Sequence, residues 1–216
     1  MLGSSKPGNQ GGNLENNSEA AEVLLFWFSA DCENPDWAAD HRRWYAGGES
    51  FDKLICERFG GLVERALDGE LVSWGSSPAS AMALIILLDQ FTRNIFRSSA
   101  RAFAGDPQAR AVVTAMLEQG FDHQLSYKER SFAYMPLEHS ESLQDQNRCV
   151  ALFEALLAEV PQAYKANIRK SLEFAIQHRD IIAQFGRFPH RNALLGRVAS
   201  AGEVRYLEKG GARFGQ

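Results

Sequence analysis

The chain has 216 residues, 45% of them hydrophobic and 11% aromatic, with a formal net charge of −4 at neutral pH. That length and apolar content fit one large domain with a sizeable core and exclude a disordered chain. The mild acidity supplies no basic field for a phosphate backbone, so a nucleic-acid partner is not expected, although a local basic pocket is still allowed.

Positions 1–17 are rich in Gly, Asn and Ser and hold almost nothing to bury. They are expected to be a flexible N-terminal tail, and 18–216 a single domain. Ser18 can cap a first helix from about Glu19, whose Val23, Leu24, Phe26, Trp27 and Phe28 are too many for one narrow stripe and must pack against something. Asn34-Pro35 and Gly47-Gly48 bracket a helical turn or short helix carrying Trp37, Trp44 and Tyr45. Trp27 and Trp44 are expected in the core. Phe51, Leu54, Ile55, Phe59, Leu62, Val63, Ala66 and Leu67 then recur at helical spacing, with Ser50 as cap and Gly69 as stop. Gly60 and Gly61 inside that helix predict a close helix crossing.

Ser77-Pro78 opens a helix that is apolar on all sides from Ala81 to Leu88, as a central buried helix must be. This is the longest uninterrupted apolar run and is too short to span a bilayer. Asp89 follows it, near the negative end of the expected helix, and needs a cation; Arg93 at i+4 and Arg97 are the candidates. Asp106-Pro107 begins another helix that Gly120 ends, Ser126 and Glu129 form a capping box, and a long helix runs to about Glu159 before Pro161. The next, from about Gln162 to Phe185, points His178 inward, four residues after Phe174. A short helix over about 200–207 closes the chain. No segment alternates at period two for long, which makes the fold all-α, built of helix-loop-helix pairs. Cys32, Cys56 and Cys149 are odd in number and form no C-x-x-C pair, which fits a reducing, cytoplasmic setting.

Unusual polar chemistry concentrates in three stretches: Asp89-Gln90-Phe91-Thr92-Arg93-Asn94, Pro136-Leu137-Glu138-His139-Ser140-Glu141, and Phe185 to Arg197 with Arg187, His190, Arg191, Asn192 and Arg197. These stretches, with Val23 to Phe28, Leu84 to Phe96 and Ala102-Phe103-Ala104, resemble a bacterial family known only as domain of unknown function nine hundred and twenty-four. The resemblance covers nearly everything after the tail. It implies a tetratricopeptide-like array of antiparallel helix pairs but supplies no activity and no accepted catalytic residues. One departure is visible: the family pattern usually has proline where this chain has Thr92, which predicts a looser turn there. The tetratricopeptide sequence signature and a thirty-four-residue period are both absent.

Three readings of the polar residues stand. In the first, a pocket binds a small carboxylate or phosphate: Arg93, Arg187, Arg191 and Arg197 offer planar forks, and Gln90, Asn94 and Asn192 orient the ligand, with Asp89, Glu141 and His178 beside them. His190, or His139 backed by Glu138, then serves as general acid or base, which would make the protein an enzyme. In the second, the arginines pair with Asp89, Glu138 and Glu141 and cement the helices. In the third, a helical array binds a peptide or protein on a concave face. Glu138, His139, Glu141, His178 and His190 include metal-ligand types, but their spacing matches neither the Glu-x-x-His pairs of di-iron bundles nor His-Glu-x-x-His, so no metal is assigned and the cofactor is left open. His41 and His123 lie outside these three concentrations of polar chemistry and are expected to be ordinary surface or partly buried residues.

Overall fold

A computed structural model describes residues 10–28 and 31–214, and its described residues are helical with no strand among them. The first helix, α1 (Gln10–Phe28), starts well before Ser18, so Ser18 lies inside it and the expected tail contributes at least its last turns to helix. Positions 1–9 of that tail lie outside the described residues. At the other end of α1, the carbonyl of Trp27 is taken by two side chains from α2 (Ala38–Ala46): Trp44 Nε1 donates to it at 2.9 Å, and Arg43 also donates to it. A helix end needs such partners for its free carbonyls, and here they fix the seat of α2. Trp27 and Trp44 are both buried and stack with ring centroids 5.9 Å apart, and Phe132 packs edge-on against Trp44 at 4.5 Å.

Helix α3 (Gly48–Leu67) buries Phe51, Ile55, Phe59, Val63 and Ala66 of the stripe its spacing predicts, with Leu62 and Leu67 half-buried and Leu54 exposed. Two expectations here fail. The N-cap is Gly47, and the hydroxyl of Ser50 donates back to the Gly47 carbonyl instead of capping. Gly61 has nothing within 4 Å of an added Cβ, and Gly60 meets Cys56 Sγ of its own helix at 3.8 Å, so among the described residues no neighbouring helix approaches closely at this pair.

The all-round apolar segment is the centre of the molecule. Helix α4 (Pro78–Ile85), capped by Ser77 as expected, packs against α1, α6 (Asp106–Glu118) and α7 (Tyr127–Ala133). It continues without a break into one wider π-helical turn, Ile86–Phe91, and then into α5 (Thr92–Ile95). Asp89 therefore lies inside a continuous helix and not at its negative end. Three neighbours explain the wide turn. Thr92 Oγ1 donates to the Leu88 carbonyl at 2.8 Å, Arg93 Nη1 donates to the Asp89 carbonyl at 2.8 Å, and Gly105 approaches so closely that a Cβ would sit 2.1 Å from Leu88 O. The carbonyls are satisfied by side chains, so the looser ladder of a π turn is tolerated. Thr92, expected to loosen this turn, is fully buried and fastens it.

The capping box of Ser126 and Glu129 forms as predicted and starts α7. After it come the one-turn α8 (Met135–Glu138), α9 (Leu143–Glu159) and α10 (Lys165–Phe185), the last two packed along each other. A 3-10 turn, Pro189–Arg191, and α11 (Ala201–Glu208) complete the chain as a single all-helical domain. No helix among the described residues is long and apolar enough to cross a membrane.

Candidate functional site

The π turn, the end of α8, the inward face of α10 and the 3-10 turn after it meet around a bent cavity. Its wider arm, about 620 Å³, is lined by aromatic and aliphatic surface, including Trp37, Trp44, Phe132, Met135, Phe153 and Phe174. Its narrower arm, about 150 Å³, is lined by Gln90, Arg93, Asn94, Arg97, His190 and Arg191. His139, His178, Met135, Trp44, Tyr45 and Phe214 border both arms and form the elbow; Glu138 borders the wide arm beside them.

Asp89 anchors the elbow from behind. It is completely buried, and its oxygens receive His139 Nδ1 at 2.7 Å, Arg93 Nη1 at 3.1 Å and Gln90 Nε2 at 2.6 Å. Burial alone would raise its pKa, but Arg93, His139 and Gln90 outweigh burial and hold the carboxylate ionised. With Asp89 ionised, the proton of His139 sits on Nδ1 and the lone pair is on Nε2. Burial and the Arg93 cation lower the pKa of His139, so this ring is neutral.

Arg93 reaches past Asp89 to Asp106, the first residue of α6, with contacts of 2.8 and 3.2 Å. Arg191 shares Asp106 at 3.3 Å and donates to the His139 carbonyl at 3.1 Å, while its guanidinium lies over Phe103 and Phe188. Nε of Arg191 and Nδ1 of His190 are buried without a hydrogen-bond partner among the described residues. Burial and the neighbouring Arg191 push His190 down to about 4.

Glu138 and His178 form the other side of the elbow. His178 Nδ1 is 2.8 Å from the Phe174 carbonyl and 3.3 Å from a Glu138 oxygen, and its ring stacks on Phe214 at 3.6 Å. A carbonyl only accepts, so His178 is protonated on Nδ1 and its lone pair is also on Nε2. Burial and the nearby Asp89 charge raise Glu138 to about 8. One ligating atom from each of Glu138, His139 and His178 lies within 4.8 Å of the other two.

The residues picked from sequence thus fall into two groups. Asp89, Gln90, Arg93, Asn94, Glu138, His139, His178, His190 and Arg191 gather at or just behind the cavity. Glu141, Arg187, Asn192 and Arg197 line neither arm. Arg197 grips Glu141 at 2.6 and 2.9 Å and donates to Asn192 Oδ1, Glu141 also accepts from the Phe188 amide, and Arg187 grips Glu203, the N3 residue of the α11 capping box. These four therefore brace the segment from 186 to 203. The cementing pairs expected between arginines and carboxylates form for Asp89 and Glu141, whereas Glu138 faces His178 instead. Arg97, a candidate partner for Asp89, pairs with Asp52 at 2.6 Å.

Sequence reasoning missed Asp106, which joins two arginines, the part of the wide arm's wall formed by His41, Arg42, Lys170 and Ser171, and Phe214 at the elbow. A signal existed for part of it: Trp37, His41, Trp44 and Tyr45 repeat at three to four residues and put one aromatic face on α2. Trp44 is both core and cavity wall.

Residues 23–211 match the model of a family described as bacterial protein of unknown function (DUF924). A solved structure of a protein of unknown function from Agrobacterium tumefaciens is similar, with 34% identity and a TM-score of 0.76 over 90% of this chain and 99% of that one. No curated protein matches the chain.

Proposed function

We propose that this chain, which belongs to the bacterial family of proteins of unknown function DUF924, binds a small acid with an apolar body. The carrying observation is the bent cavity, whose wide arm is mostly apolar and whose narrow arm is lined by Arg191, a residue with a buried Nε that has no partner among the described residues. Pockets of several hundred Å³ with apolar walls and a few convergent polar groups are the usual form of small-molecule sites. A buried donor without an acceptor costs about 1–3 kcal/mol, which a ligand carboxylate or phosphate oxygen would recover. Arg93 is saturated by Asp89 and Asp106, so Arg191 is the arginine with capacity to spare.

In this reading the ligand bends across Glu138, His139 and His178, and the protein is an enzyme that exchanges protons with it there, His139 being oriented by Asp89. The finer description of the fold as tetratricopeptide-like is supported by α9 and α10, consecutive long helices packed along each other. A peptide-binding module would repeat a polar stripe along successive helices, whereas Gln90, Arg93, Asn94, Glu138, His139, His178, His190 and Arg191 all border one cavity.

A thermal-shift screen of aryl and alkyl carboxylates and phosphates tests the reading, since a ligand of the folded state raises Tm. Aromatic acids should raise it in the wild type, and Arg191→Lys should abolish the shift while Arg187→Ala retains it. Equal shifts in the wild type and Arg191→Lys would remove the acid-binding role.

A further inference from the structure

We infer that Glu138, His139 and His178 form a binding site for one divalent first-row transition-metal ion. Three properties carry this. The donor atoms come from three side chains and lie within 4.8 Å of one another at the elbow of the cavity. Around an ion with ligand distances of about 2.0–2.2 Å, tetrahedral donors stand about 3.3 Å apart, so the side chains close by about 1.5 Å or less on loading. The set of two imidazoles and one carboxylate is a recurrent one for zinc in hydrolases and for iron(II), and it leaves coordination positions open.

The second property is outer-shell order. A ligating imidazole normally gives its other N–H to a carboxylate or a backbone carbonyl, which fixes the tautomer and aims the lone pair. Both rings here do so: His139 donates through Nδ1 to Asp89 at 2.7 Å, and His178 donates through Nδ1 to the Phe174 carbonyl at 2.8 Å. Asp89 is itself held by Arg93 and Gln90, so the support extends one residue further back.

The third is access. His139 and His178 border both arms of the cavity and Glu138 borders the wide one, so the open positions of a bound ion face the space where a ligand would lie. The spacing in sequence hides the set, because His178 comes from α10 while Glu138 and His139 end α8. The inference does not depend on the acid-binding reading. It changes His139 and Glu138 from proton carriers into ligands and leaves Arg191 as it was.

Chelator-stripped protein titrated with Co²⁺ tests the site. One equivalent should bind and develop visible d–d absorption, and Zn²⁺ should displace it. Glu138→Gln and His178→Asn should each weaken Co²⁺ binding by at least 100-fold, with near-ultraviolet circular dichroism confirming that the variants fold. Asp89→Asn, one shell out, should weaken it by about 10–100-fold. His190→Gln should leave it unchanged. Folded wild-type protein that binds no Co²⁺ or Zn²⁺ at 100 μM would overturn the site regardless of the variants, as would folded Glu138→Gln that binds like wild type. Acid-induced thermal shifts report on Arg191 and not on the ion, so the two ideas fail separately.

Discussion

His139 Nδ1 and Asp89 Oδ1 lie 2.7 Å apart although 50 positions separate them in sequence. The contact joins the end of the short α8 to the π turn that follows α4, and Asp89 makes it from a completely buried position. An ionised carboxylate in such a place is tolerable only because Arg93, His139 and Gln90 surround it. Asp89 is thus a structural keystone and an orienting group at once. Asp89→Asn keeps the shape but removes the charge that Arg93 and His139 share, and should cost about 3 kcal/mol in urea unfolding at pH 7. A loss under about 1 kcal/mol would mean that Asp106 alone satisfies Arg93.

Two glycine substitutions should move stability in opposite directions. Gly105→Ala drives a methyl group to 2.1 Å from the Leu88 carbonyl, a backbone atom that cannot rotate away. The π turn must shift, at a cost of about 1–3 kcal/mol. Gly61→Ala meets nothing within 4 Å on an exposed face of α3 and should gain about 0.5–1 kcal/mol through helix propensity and a stiffer unfolded chain. Paired denaturation curves at constant m-value check both.

Much of the helical framework could be read from local rules. Ser77-Pro78, the Ser126–Glu129 box and the stripe of α3 announce themselves because each involves residues within a few turns of one another. The inward turn of His178 was legible for the same reason. What could not be read depends on distant partners. Asp106 looks like a helix opener until Arg93 and Arg191 reach it from other elements, and Gly105 looks ordinary until Leu88 O packs against it. The π turn has no periodicity of its own, since every residue from Ile86 to Phe91 is buried and no polar face marks the phase. The split of the third motif, with His190 and Arg191 at the cavity and Arg187 and Arg197 bracing the loop, follows from which carboxylate each arginine meets in space.

Nothing local to Lys128 singles it out in the sequence. It is 1% exposed and its Nζ lies 2.7 Å from Asp40, which also holds Arg43 at 3.1 Å. Breaking a buried pair strands a charge, so Lys128→Met should cost about 3 kcal/mol. Adding Asp40→Asn removes the stranded carboxylate and should recover part of that loss. A double-mutant cycle by urea unfolding gives the coupling, and strict additivity would show that the two side chains do not act as a pair.

The pH dependence of stability should carry the mark of His190. Its folded pKa lies near 4 because burial and Arg191 oppose its charge, with Arg213 adding to the repulsion and Glu141 opposing it. In the unfolded chain the ring takes up its proton near pH 6.5. Between those values the unfolded state binds more protons than the folded one, so stability is complete above about 6.5 and falls as the pH drops towards 4. The slope from one such group approaches about 1.4 kcal/mol per pH unit, and the loss over the interval is on the order of 2–3 kcal/mol. His41, His139 and His178 are shifted in the same direction and add to the trend in the wild type. Comparison with His190→Gln isolates the single contribution, because glutamine fills similar space and takes no proton. The difference in unfolding free energy between the two proteins should therefore change in favour of the variant as the pH falls from 7 to 4. Parallel curves over that range would place His190 in contact with solvent or with a carboxylate strong enough to keep its pKa normal.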